Sequence, residues 1–132
     1  WSIFQAVNVP VDRNCCPRGR LKTILQLKKT LDNGGRVLMF PEGTRTFKAT
    51  KNGESTKLGN LKPGAGWLAL ATGSRVLPIW VDGSEDMLPN KKPYIPRLWK
   101  KVIVRIGEPF TIRGSTREEA TREISEALLN VG

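Results

Sequence analysis

Val37-Leu38-Met39-Phe40-Pro41-Glu42-Gly43-Thr44-Arg45 is the stretch on which the fold turns. Its first four residues are continuously apolar and too few for a helix of ordinary length. They predict a strand buried on both faces, the pattern of a parallel sheet. Pro41 withholds a backbone N–H and ends that strand. Polar and small residues then follow at the strand's carboxyl end, where open α/β sheets bind their ligands. Gly43 permits a sharp turn with an open backbone N–H. Arg45 offers a planar fork of donors that can grip a phosphate in two places. Glu42 either accepts hydrogen bonds from a polyol hydroxyl or pairs with Arg45. The same residues also suit an ordinary strand-to-loop turn carrying a surface ion pair.

Outward from this stretch, strand and helix signals alternate. Upstream, Val7 to Val11 reads as a short strand or its end, and Pro17 stands where a first helical turn tolerates proline. Leu21, Ile24, Leu25, Lys28 and Leu31 follow helical spacing, stopped by Asn33-Gly34-Gly35. Downstream, residues 46–60 are polar and predict an exposed loop. Lys62-Pro63-Gly64 introduces a short apolar helix over 66–72, and a strand follows over 75–81, closed by Asp82-Gly83. After a connection with Pro89, Pro93 and Pro96, the alternation of Val102, Val104 and Ile106 predicts a half-buried strand. A last helix begins near Ser115, with Glu118 three residues on as a capping box. It presents Ala120, Ile124, Ala127, Leu128 and Val131 on one side. The expected fold is α/β: a mixed, largely parallel sheet flanked by helices, one domain over residues 1–132.

The 132 residues carry a net charge of +10, unevenly spread. From Arg13 to Lys62, twelve lysines and arginines stand against three acids, Asp32, Glu42 and Glu54. A one-sided basic half predicts an anionic partner: a phosphate, an anionic membrane surface or a nucleic acid. A solvated basic face without a ligand has the same composition. The aromatics weigh against nucleic acid, because single-strand binders stack bases on exposed rings among basic residues. Here Phe40, Trp67 and Trp80 lie in apolar surroundings that read as core, leaving Trp99, beside Lys100 and Lys101, as the one exposed candidate.

Several chemistries are excluded outright. There is no histidine, so no Ser-His-Asp triad, Cys-His pair or His-based metal site can be assembled from this chain. Cys15 and Cys16 are adjacent, which rarely meets disulfide geometry and points to a reducing compartment. No Gly-rich nucleotide loop appears, no metal or organic cofactor is called for, and no apolar run approaches the roughly 20 residues of a membrane span. Trp1 is neither an initiator methionine nor the start of a signal peptide, so the N-terminus reads as a cut. Two further anion contacts remain. Arg13, after Val11-Asp12 at another strand end, either brings a second guanidinium or pairs with Asp12. Lys62 either places an ammonium near an anion or merely precedes a helix.

Taken in order, these segments resemble the lysophosphatidic-acid acyltransferase family. Phe40-Pro41-Glu42-Gly43-Thr44-Arg45 looks like its third motif, and Val11-Asp12-Arg13 sits where the second is expected. Leu61 to Ala71 resembles the segment that follows, Val76-Leu77-Pro78-Ile79 the fourth motif, and Gly107-Glu108-Pro109-Phe110 the usual late strand ending. The resemblance implies transfer of an acyl group from acyl-CoA or acyl carrier protein to a lysophospholipid or glycerol-phosphate hydroxyl. It implies Arg13 and Arg45 as ligands of the acceptor phosphate and Glu42 as partner of its glycerol part. Gly43 and Thr44 would shape the turn, and Lys62 would add a charge. It also implies association with an anionic membrane surface on the cytoplasmic side, where each well-placed Lys or Arg contributes about 1 kcal/mol. The family's first motif, Asn-His-x4-Asp, supplies the general base and the carboxylate that orients it. That motif is absent from this chain and would fall before Trp1. Two other readings follow from the residues: a catalytically inactive phospholipid-binding module, and a basic nucleic-acid binder.

Overall fold

A computed structural model describes residues 17–43, 50–51, 54–55, 58–87, 97 and 99–132. In chain order the elements are α1 (Pro17–Asp32), β1 (Thr50–Lys51), β2 (Glu54–Ser55), α2 (Gly64–Thr72), β3 (Ile79–Asp82), α3 (Ser84–Met87), β4 (Ile103–Ile106) and α4 (Arg117–Val131). The chain divides into two units, Trp1–Met39 and Phe40–Gly132. No described helix is long and apolar enough to cross a membrane.

In the first unit, α1 begins at Pro17 and carries an i,i+4 ion pair, Lys28 Nζ to Asp32 Oδ2 at 2.7 Å. It stops where the sequence says it should. The Gly34 N–H donates to Leu31 O at 2.9 Å and the Gly35 N–H to Thr30 O at 2.9 Å. These two bonds require a left-handed residue between helix and coil, and Gly34 supplies it with φ of 76°.

In the second unit, α2 and α4 cross and bury the core: Leu68 and Ala69 from one helix, Ala120, Ile124 and Leu128 from the other. The crossing is close because α2 presents Gly66 there. A Cβ at that position would stand 2.8 Å from Thr121 Oγ1, 2.9 Å from Thr121 N and 3.0 Å from Arg117 O. The helix α4 is started by Thr116, whose hydroxyl accepts from Glu119 N while the Glu119 carboxylate accepts from the Thr116 N–H. The capping box thus lies one residue beyond the expected Ser115 and Glu118.

The sheet departs further from expectation. β3 and β4 pair antiparallel, Ile79 opposite Ile106 and Asp82 opposite Ile103. The ladder continues past Pro78 to an isolated bridge between Val76 and Phe110. Between these pairings the 103–110 side gains one residue, a bulge at Gly107 to Pro109, where neither Pro78 nor Pro109 can donate. β1 and β2 form a second antiparallel pair inside the expected loop. Every strand pairing among the described residues is therefore antiparallel, and the largely parallel sheet is not found there.

Burial differs too. Residues 35–40 form no strand, and Leu38 and Phe40 are each 77% exposed. A run of apolar residues becomes a doubly buried strand only with paired neighbours on both edges, and none of the described residues pairs with this run. Val104 and Ile106, expected to face inward, are 56% and 66% exposed. The other sheet face, with Trp80 and Arg105, is the covered one: the C-terminus of α4 lies against it, and Arg105 Nη1 donates to Gly132 O at 3.4 Å. Trp67 and Trp80 are half-buried, whereas Trp99 is exposed as expected.

Candidate functional site

The turn at residues 40–43 is built as its composition demands. The Gly43 N–H donates to Phe40 O at 3.0 Å, closing a four-residue turn with proline second and glycine last. Gly43 has φ of 67°, a backbone conformation that side chains with a Cβ rarely adopt.

A second segment docks on this turn. The Lys62 N–H donates to Pro41 O at 2.8 Å. Three residues earlier, the Gly59 N–H donates to Glu42 Oε2 at 3.1 Å in a part-buried contact. With both bonds made, the Lys62 side chain runs across Gly43. A Cβ built on Gly43 would stand 3.0 Å from Lys62 Cε, 3.2 Å from Cδ and 3.6 Å from Nζ. The bare glycine therefore leaves the space the lysine stem occupies, and the ammonium sits beside the turn. One residue on, α2 starts at Gly64 with Pro63 at its N-cap and no side-chain cap bond. Unpaired N–H groups at a helix start and a neighbouring ammonium both favour negative charge.

Three of the six residues predicted from sequence, Glu42, Gly43 and Lys62, are thus brought together. The other three, Arg13, Thr44 and Arg45, lie outside the described residues. Gly59 was not foreseen, because its part is played by a backbone N–H that almost any residue could offer. Among the described residues, no three His, Cys, Asp or Glu side chains could hold a metal ion.

A concavity of about 780 Å³ lies elsewhere, between residues 109–113 and α4. It shares no residue with the turn, and the Glu123 carboxylate on its wall is already taken by the N–H groups of Arg113 (3.0 Å) and Gly114 (2.6 Å). The turn brings the Lys62 ammonium together with the start of α2, and it is the better candidate on chemistry.

The chain is a member of the Acyltransferase family, whose model matches residues 2–82. Among individual proteins it is similar to a 1-acyl-sn-glycerol-3-phosphate acyltransferase of Chlamydomonas reinhardtii, 34% identical over 70% of this chain and 25% of that protein. A chloroplastic enzyme of the same name from Arabidopsis thaliana is 34% identical over 68% of this chain and 23% of its own length. Tafazzin of Drosophila melanogaster is 31% identical over 39% of this chain and 14% of its own. The chain spans about a quarter of the length of the first two of these curated relatives. No solved structure matches it.

Proposed function

We propose that this chain is the acceptor-holding part of a glycerolipid O-acyltransferase. In this reading the whole protein moves an acyl group from the thioester of acyl-CoA or acyl carrier protein to a hydroxyl of lysophosphatidate or glycerol phosphate. The hydroxyl oxygen attacks the thioester carbonyl, the C–S bond breaks, and the hydroxyl proton ends on the departing thiol. Arg13, Arg45 and Lys62 hold the acceptor phosphate, while Gly43 and Thr44 shape the turn. Glu42 stands in the same turn, its carboxylate accepting from the Gly59 N–H. The basic half of the chain draws the protein to an anionic membrane surface, on the cytoplasmic side. The observation that carries the reading is the Lys62 stem lying over Gly43 within the Phe-Pro-Glu-Gly turn.

The chain has no histidine, so the His-x4-Asp pair that deprotonates the hydroxyl comes from outside these 132 residues. The same lack of histidine favours a second reading, a catalytically inactive module that holds phospholipid. One titration bears on both. The 132-residue chain is mixed with short-chain lysophosphatidate, and binding is followed with and without acyl-CoA. Saturable binding that Arg45→Ala abolishes, without turnover, is the expected result. Turnover well above background would sink the requirement for an external histidine, and absence of binding would sink both readings. A longer form of the protein that binds but never acylates would leave the module reading standing alone.

A further inference from the structure

We infer that Glu42 is a positioning residue, whose carboxylate holds the 59–62 segment so that Lys62 lies over Gly43, rather than a ligand of the acceptor. The inference deepens the acceptor-site reading of the turn and rests on it.

Two bonds bracket the segment. At one end the Gly59 N–H donates to Glu42 Oε2 (3.1 Å), and at the other the Lys62 N–H donates to Pro41 O (2.8 Å). Their anchors, the Pro41 carbonyl and the Glu42 carboxylate, belong to consecutive residues of the turn, so the four residues from 59 to 62 are tied at both ends to one corner. A short segment fixed at both ends has a defined side-chain direction at its last residue. That direction carries the Lys62 stem across Gly43. With the Glu42 bond removed, the segment hangs on the Pro41 carbonyl alone and can swing about it. The bond to Gly59 joins a charged acceptor to a backbone donor, the stronger kind of hydrogen bond. Charge points the same way. A carboxylate facing a phosphate ester repels it, whereas a carboxylate turned onto a backbone N–H, with an ammonium beside the same turn, leaves a site that anions can enter. Glu42 thus shapes the site through Gly59 and Lys62.

The test uses the 132-residue chain and begins without ligand. By NMR, Glu42→Ala should remove the exchange protection of the Gly59 amide. It should also erase the cross-peaks between Lys62 εCH₂ and the Gly43 α-protons. Glu42→Gln, whose amide oxygen can still accept from Gly59, should retain both, and unchanged α2 and α4 resonances report an intact fold. Hexanoyl lysophosphatidate is then titrated in. Glu42→Ala and Lys62→Met should each weaken binding about tenfold, the order expected for one charge-assisted contact. The double variant should bind no more weakly than Lys62→Met alone.

Unchanged Gly59 protection and Lys62 cross-peaks in Glu42→Ala would overturn the inference whatever the binding does. So would additive losses in the double variant, which would put Glu42 on the ligand itself. If the resonances respond as expected but the unmutated chain binds no lysophosphatidate, the positioning role stands and the acceptor reading falls.

Discussion

The α2–α4 crossing and the 40–43 turn each centre on a glycine, and the two glycines are there for different reasons. Gly66 lies buried between two helices, where its missing Cβ lets the backbone of α4 approach within contact distance. Gly43 stands at a corner in a left-handed conformation, where its missing Cβ leaves room for a lysine stem. Around Gly66 the cohesion is dispersion and apolar burial from Leu68, Ala69, Ala120, Ile124 and Leu128. Around Gly43 it is a handful of hydrogen bonds among half-exposed groups. Burial is non-directional and sums over many atoms, whereas a hydrogen bond contributes only about 0.5–1.5 kcal/mol net but fixes direction. One region therefore supplies stability, and the other supplies geometry for a charged ligand. Substitutions in the two should separate along those lines.

The largest effect belongs to the crossing. Ile124→Ala removes buried methylenes facing α2 and should cost about 2–4 kcal/mol in a urea melt. Lysophosphatidate affinity of the fraction that remains folded should stay within about twofold, because Ile124 is a buried core residue that makes none of the hydrogen bonds of the 40–43 turn. A loss of affinity comparable to that of Lys62→Met, in folded protein, would break the separation.

Gly43→Ala should do the reverse. Forcing an alanine to a φ of 67° costs roughly 1–2 kcal/mol. The new methyl also meets Lys62 Cε at 3.0 Å, which the flexible stem relieves by moving off the turn. The melt should shift less than for Ile124→Ala, while affinity for the anionic headgroup falls severalfold. Should Gly43→Ala be the more destabilising of the two, the turn would be a structural keystone and the comparison would need inverting.

How far each region could be read from sequence follows the same divide. The two helices of the crossing were legible because their apolar spacing and stop signals are local. Even the one-residue error at the start of α4 has a local cause. Ser115 and Thr116 are both hydroxyl caps, and Glu118 and Glu119 are both acids at the right distance, so two overlapping boxes fit the pattern equally. The sheet was less legible. Alternation in 102–106 marks a strand but not the direction in which it pairs, and the apolar run at 37–40 cannot specify the neighbours that would bury it. The β1–β2 pair has a local signal in Asn52-Gly53, a strong hairpin dipeptide within an otherwise polar, loop-like stretch. At the turn, Glu42, Gly43 and Lys62 were recognisable by side-chain chemistry. Gly59 was not, since a backbone N–H leaves no compositional trace.

The smallest predicted effect tests whether α4 carries its own electrostatic anchor, independent of the turn. The Glu119 carboxylate accepts from the N–H groups of Ser115 (2.8 Å) and Thr116 (3.2 Å), and these backbone bonds hold its pKa below the ordinary glutamate value. Glu118 is lowered as well, chiefly by its bond to Arg117. A carboxylate depressed in the folded state stabilises that state at pH values above its unfolded pKa, about 4.3. The contribution shrinks as pH falls below that value and is gone once the folded form is protonated. Both groups are fully exposed, so the effect is small and salt-sensitive. Titrated from pH 7 to pH 3, the amide resonances of residues 115–119 should report loosening of the first turn of α4, while Leu68 and Ile124 stay in place. Glu119→Gln should flatten that titration, because the amide oxygen keeps one hydrogen bond without the charge. If instead α2 and α4 loosen together at the same pH, the cap is coupled to the crossing, and the helix start belongs to the stability-bearing region rather than standing apart from it.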